Sequence, residues 1–168
     1  MAALQIRPGR LDEAGAIGVL TQRCTAAGGW TDEGYDVELV DAQARVEHAT
    51  LLVAEREGAV VGTVTMALPG TPFAEVSRPD EAEIRMLAVD EDARGVGIAS
   101  RLMDACEACA REAGLAGVVL STESSMPAAH RLYEPRGYAR ESNRDWGGTR
   151  IPTPRLPATA LARSSGYQ

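Results

Sequence analysis

The chain has no lysine: all 17 of its basic residues are arginine, set against 24 acidic residues for a formal charge of −7. Arginine codons are richer in G and C than lysine codons, so this usage points to a GC-rich coding genome and says nothing of mechanism. The acidic balance argues against nucleic acid as a partner, because binding its backbone requires clustered positive charge that displaces counterions. It is compatible with a cationic amine ligand, although solubility alone accounts for such a charge. No run approaches the roughly 18 consecutive apolar residues of a membrane span. The opening Met-Ala-Ala-Leu-Gln-Ile-Arg-Pro lacks the pattern of a signal peptide. A cytoplasmic protein with no membrane partner is the expectation.

Cysteine is scarce as well. Cys24, Cys106 and Cys109 are an odd number in a chain without a secretory signal, which argues against a disulfide framework. Cys106-x-x-Cys109 falls inside the helical pattern Ile98, Leu102, Cys106, Cys109, where three- and four-residue steps put the four side chains on one face. Redox pairs of this spacing usually start a helix, and a zinc site needs two further ligands nearby. Buried small apolar side chains are therefore expected here. No group of His, Cys and Asp has metal-ligand spacing, so no metal is expected, and His48 has no evident partner.

At 168 residues the chain fits one domain, read as residues 1–162 with a loose tail over 163–168. Leu4-Gln5-Ile6 reads as a short strand ended by Pro8-Gly9. Leu11, Ala14, Ile17, Leu20 and Cys24 then recur at helical spacing until Gly28-Gly29. A weaker helical pattern runs from about Tyr35 to His48. Thr50 to Glu55 and Val60 to Leu68 are rich in β-branched residues and flank Arg56-Glu57-Gly58, which predicts an antiparallel hairpin. After a loop over 69–79 come a strand from Glu83 to Val89 and the strongest helix, Gly97 to Ala113, stopped by Gly114. An apolar strand (Gly117 to Thr122), a short helix (Met126 to Glu134) and a strand (Tyr138 to Asp145) follow. Pro152, Pro154 and Pro157 argue against a regular central strand within Ile151 to Leu161.

The chemistry lies between Ala82 and Ser100. A strand runs into Arg94-Gly95-Val96-Gly97 and straight on into an amphipathic helix. The first N–H groups of a helix lack intrahelical partners, the dipole is positive there, and glycines let an anion approach the main chain. That order builds a site suited to a pyrophosphate. A dinucleotide-binding unit is one alternative, since Gly95-x-Gly97-x-x-Ser100 opens a helix and Glu123 closes the next strand. In that motif the first glycine follows the strand directly, whereas Asp90 to Arg94 intervene here, and the chain is too short for six parallel strands.

Arg94-x-x-Gly97-x-Ala99 resembles the acetyl-coenzyme A signature of the GNAT superfamily of N-acetyltransferases, Arg/Gln-x-x-Gly-x-Gly/Ala. The preceding strand, Glu83 to Val89, and the later segment Ala129-His130-Arg131-Leu132-Tyr133-Glu134-Pro135-Arg136-Gly137-Tyr138 match the same family in order and spacing. The resemblance implies an α/β (α+β) fold, with a mixed sheet of about six or seven strands, splayed after the fourth, and about four flanking helices. It implies acetyl-CoA as co-substrate. Pantetheine would lie along the splayed edge at Leu87, Ala88 and Val89, and Arg94, Gly95, Val96, Gly97, Ile98, Ala99 and Ser100 would cradle the phosphates. The Leu87 N–H would polarise the thioester carbonyl.

The reaction implied is direct attack of a neutral amine on the thioester. Glu83 matches a strand position where several relatives carry the general base, acting directly or through water. A solvated strand-start glutamate, with Glu81 close by, is the plain alternative. Tyr133 matches the tyrosine that protonates the departing thiolate. Many relatives have asparagine seven residues earlier, where this chain has Met126 followed by Pro127. That cofactor contact is lost, replaced by Ser124 or Ser125, or made by the Met126 backbone. His130 reads as a surface or structural histidine. The acceptor would be a small-molecule or peptide amine, with Trp30, Tyr35 and Trp146 as wall candidates. Homodimers are common in the family, and the sequence shows no interface. The competing reading is a GNAT-fold module that binds acyl-CoA without transferring the acyl group, because fold does not fix function.

Overall fold

The computed structural model describes residues 3–27, 40–120, 131–141 and 153–156. Trp30, Tyr35, Ser124, Ser125, Met126, Pro127, His130, Trp146 and the tail over 163–168 lie outside the described residues. The chain forms two compact units, Met1–Met66 with Met86–Met103, and Ala67–Arg85 with Asp104–Gln168.

In the first unit β1 (Gln5–Pro8) pairs antiparallel with β2 (Thr50–Arg56), from Gln5↔Glu55 to Pro8↔Leu52, and β2 pairs antiparallel with β3 (Ala59–Ala67). The expected hairpin is present. Its turn is Glu57-Gly58, both left-handed (φ 55 and 77), the two-residue geometry whose twist matches that of paired strands. A 3-10 turn (Leu11–Glu13) leads into α1 (Ala14–Ala27), and α2 (Ala42–His48) precedes β2. Ile17, Ala42, Leu51 and Val53 form the core here, with Ala14, Val46 and Val60 against it. Each large apolar side chain among them contributes roughly 1.5–3 kcal/mol on burial. Gly18 sits where α1 runs tight against Val40: a Cβ on it would stand 2.2 Å from the Val40 carbonyl oxygen.

β4 (Glu81–Val89) contributes to both units. Its first half pairs in parallel with β5 (Gly117–Leu120), from Glu81↔Gly117 to Ile84↔Leu120. In the second unit β6 (Ala139–Glu141) and β7 (Thr153–Leu156) complete the order β4-β5-β7-β6. β7 corrects one expectation, because a strand containing Pro154 lies between two others, antiparallel to both. The register explains it. Pro154 pairs with Arg140 on β6, while pairing to β5 begins only at Arg155, so the proline has a strand neighbour on one side alone.

The long helix α3 (Ile98–Glu112) buries Ile98, Leu102, Met103, Cys106 and Ala110 along one face. It stops at Gly114 (φ 73), whose N–H donates to the Arg111 carbonyl (3.0 Å), while the Leu115 N–H donates to that of Ala110 (3.1 Å). This double closure requires a left-handed residue, which glycine supplies. Seven described strands in mixed pairing, with helices, make the α/β architecture expected from the sequence.

Candidate active site

The segment that the sequence marks for a cofactor begins at a break in β4. Met86 has φ +54 in mid-strand, two residues past Ile84, where the register with β5 ends. A non-glycine residue in this region costs on the order of 1–3 kcal/mol and persists only where its surroundings hold it. Here Arg45 Nη1 donates to the Met86 sulfur (3.0 Å) from a wholly buried guanidinium, and its Nη2 reaches Thr21 Oγ1 (3.4 Å). Thr21 in turn donates to the Ile17 carbonyl of its own helix (2.8 Å). The break separates the half of β4 that pairs with β5 from Leu87, Ala88 and Val89.

The end of the strand is fastened on several sides. The Val89 carbonyl accepts from the Cys24 thiol (3.4 Å) and from Arg94 Nε (3.1 Å). The Asp90 N–H donates to the Val61 carbonyl (2.8 Å), and the Asp90 carboxylate accepts from Arg23 (2.6 Å) and from the Asp92 N–H (3.2 Å). Arg94, Gly95, Val96 and Gly97 then run exposed across the start of α3. Gly95 and Gly97 are left-handed (φ 83 and 81), and a Cβ on either would meet nothing within 4 Å. The Gly97 carbonyl accepts from the Arg101 N–H (3.1 Å), so the helical ladder starts there. Open main chain at the positive end of a 15-residue helix suits a pyrophosphate, and these residues fit coenzyme A.

Glu83 and Tyr133 belong to the other unit. Glu83 is buried, in place of the solvated glutamate that was the plain alternative, and its Oε2 accepts from three successive main-chain N–H groups: Glu75 (2.7 Å), Val76 (2.9 Å) and Ser77 (3.2 Å). Arg85, two residues on and so on the same face of β4, binds the Phe73 carbonyl and the Glu75 carboxylate, each at 3.3 Å. The two side chains fasten the loop over 73–77. Tyr133 is also buried; burial pushes its phenol up, Cys106 adds to the rise, and Arg136 pulls the other way. The hydroxyl keeps its proton through the neutral range.

Sequence reasoning missed Met86, Arg45, Cys24 and Arg23. Only the Cys24 and Met86 positions carried a signal, and it was the ordinary apolar periodicity of a helix and a strand. Cys106 is fully buried and Cys109 partly so, both as free thiols, in keeping with their place on the apolar face of α3.

A family model for GNAT acetyltransferases matches residues 19–138, more than half of the chain. A mycothiol acetyltransferase of Cellulomonas flavigena is 32% identical over 107 residues, which make up 62% of this chain and 31% of that protein. The chain therefore spans less than a third of that relative's length. It resembles the PaiA N-acetyltransferase of Thermoplasma acidophilum in complex with coenzyme A, with TM-score 0.74 and 13% identity over 92% of this chain and 99% of the other. It likewise resembles a GNAT family acetyltransferase of Brucella melitensis in complex with acetyl-CoA, with TM-score 0.65 and 21% identity over 92% and 88%. The structural likenesses establish the fold. Since the family model covers more than half of the chain and takes in the strand, glycine turn and helix from Glu81 to Glu112, the chain belongs to the GNAT family of acetyltransferases.

Proposed function

We propose that this chain transfers the acetyl group of acetyl-CoA to a primary amine of a small molecule or peptide, by direct attack in a ternary complex. The observation that carries the reading is the Arg94 to Gly97 turn, with its two left-handed glycines and open space at the amino end of α3. Acetyl-CoA supplies an activated acyl thioester. Arg94, Gly95, Val96, Gly97, Ile98, Ala99 and Ser100 hold the phosphates. Val89 has its carbonyl engaged by Cys24 and Arg94, which leaves Leu87 and Ala88 as the main pantetheine contacts. The Leu87 N–H faces the developing charge on the acyl oxygen.

In this reading Tyr133 is the general acid, its hydroxyl kept protonated by burial. Glu83 fixes the loop from Glu75 to Ser77, and the attacking amine gives its proton to water. The alternative, binding without transfer, draws support from Glu83, whose Oε2 is committed to main-chain donors. Free thiol released from acetyl-CoA over a panel of amines separates the two. Turnover with at least one amine is expected, falling by roughly 10²-fold in Tyr133→Phe with acetyl-CoA affinity nearly unchanged. Tight binding of acetyl-CoA with no thiol released for any amine would favour the module.

A further inference from the structure

Tyr133, Gly137 and Tyr138 share one piece of backbone geometry. Gly137 is left-handed (φ 90), its N–H donates to the Glu134 carbonyl (3.0 Å), and the Tyr138 N–H donates to the Tyr133 carbonyl (3.3 Å). This is the Schellman closure of a helical turn, in which the residue after the glycine packs against the residue five positions before it. Those two residues are Tyr138 and Tyr133. Their rings lie 5.7 Å apart at 56°, a tilted aromatic pair worth about 0.5–1.5 kcal/mol.

Tyr138 is held in turn by a polar network. Its hydroxyl donates to Glu107 Oε1 (3.2 Å), and Arg136 binds the same carboxylate through Nε to Oε1 (3.0 Å) and Nη2 to Oε2 (2.8 Å). Arg136 also reaches the Asp104 carboxylate on the preceding turn of α3. Glu107 is only 4% exposed, beside the buried Cys106 on a helix whose other inward residues are apolar. A buried carboxylate is costly unless fully paired, and an apolar side chain of similar size would hold the turn against α3 without that penalty. Stability alone therefore does not account for Glu107. What the network does is fix the Tyr138 ring, and through it the ring packed against it.

We propose that Glu107, acting through Arg136 and Tyr138, is the positioning residue for the Tyr133 hydroxyl. It sets the orientation of the Tyr133 ring from the far side of the Tyr138 ring. The consequence for turnover rests on the general-acid role of Tyr133 proposed above, whereas the effect on the ring itself does not.

The test uses Glu107→Gln and the milder Tyr138→Phe, each in the wild-type and the Tyr133→Phe backgrounds. Kinetics are measured alongside fluorine NMR of protein labelled with 3-fluorotyrosine, the Tyr133 line being identified by its loss in Tyr133→Phe. In the wild-type background, kcat is expected to fall about tenfold in each variant at an unchanged KM for acetyl-CoA. Little further loss is expected once Tyr133 is Phe, because residues acting through one group are not additive. The Tyr133 fluorine line should shift or split in both variants. Equal fold-losses in the two backgrounds, or an unmoved Tyr133 line in folded protein, would overturn the proposal. If Tyr133→Phe turns over like wild type, the general-acid reading fails, and the fluorine line alone still decides whether Glu107 positions the ring.

Discussion

Arg94 donates through Nε to the Val89 carbonyl (3.1 Å), tying the first residue of the glycine turn back to the last residue of β4. One side chain thus braces the strand edge proposed for pantetheine and brings a positive charge to the turn proposed for phosphate. Arg94→Ala removes both, whereas Arg94→Lys keeps the charge and loses the planar fork. A charge-assisted bond contributes about 1.5–3 kcal/mol. Calorimetry should therefore show acetyl-CoA affinity falling roughly tenfold or more in Arg94→Ala, and by less in Arg94→Lys. Unchanged affinity in Arg94→Ala would remove Arg94 from the site.

Gly97 lies at φ 81 with open space where a Cβ would be. A β-branched residue there carries a backbone penalty of about 1–3 kcal/mol and fills the space proposed for the phosphates. Gly97→Val should stay folded by circular dichroism and lose measurable acetyl-CoA binding. Binding at wild-type strength would place the phosphates elsewhere.

Glu83 offers a test in which anchor and base give opposite results. Replacing its carboxylate by an amide weakens three hydrogen bonds from Glu75, Val76 and Ser77 from charged to neutral strength, a loss on the order of 1–3 kcal/mol in all. Glu83→Gln should melt lower and exchange the amides of residues 75–77 faster, while turnover still rises toward alkaline pH as the acceptor amine loses its proton. Loss of that rise at unchanged stability and amide protection would make Glu83 the base instead.

The parts legible in the sequence are those that local chemistry dictates. Glu57-Gly58 announced the β2–β3 hairpin, Gly114 the end of α3, and Arg94 to Gly97 the turn that starts it. Met86 gave no sign of its left-handed backbone, because a methionine in a strand is ordinary and the guanidinium on its sulfur comes from Arg45, 41 residues earlier. Glu83 was found by resemblance, but its partners are main-chain N–H groups, which no residue type encodes. Glu107 is a buried acid beside the apolar stripe of α3, and its partners, Arg136 and Tyr138, lie 29 and 31 residues away, beyond the reach of local periodicity. The Pro154 strand failed for a related reason: a proline rule applied to one segment cannot know on which side its neighbour lies.

Arg7 joins β2 to the turn before α1, donating through Nε to Glu55 Oε2 (2.7 Å) and through Nη1 to Glu13 Oε2 (3.0 Å). The hydrogen bond from Arg7 pulls the Glu13 carboxyl down to about 2, burial opposes it, and the Arg10 N–H adds to the pull. A carboxylate whose pKa is depressed in the folded state stabilises the fold fully above its unfolded pKa and loses that contribution as pH falls toward the folded value. Glu13 should therefore stabilise the protein at neutral pH and cease to do so between the ordinary carboxylate range and about pH 2. Glu13→Gln should unfold at a lower temperature than wild type at pH 7, with the gap narrowing through that window until the two proteins converge. Unfolding measured at a series of pH values checks it, and a gap that stays constant would show that Glu13 does not titrate with folding.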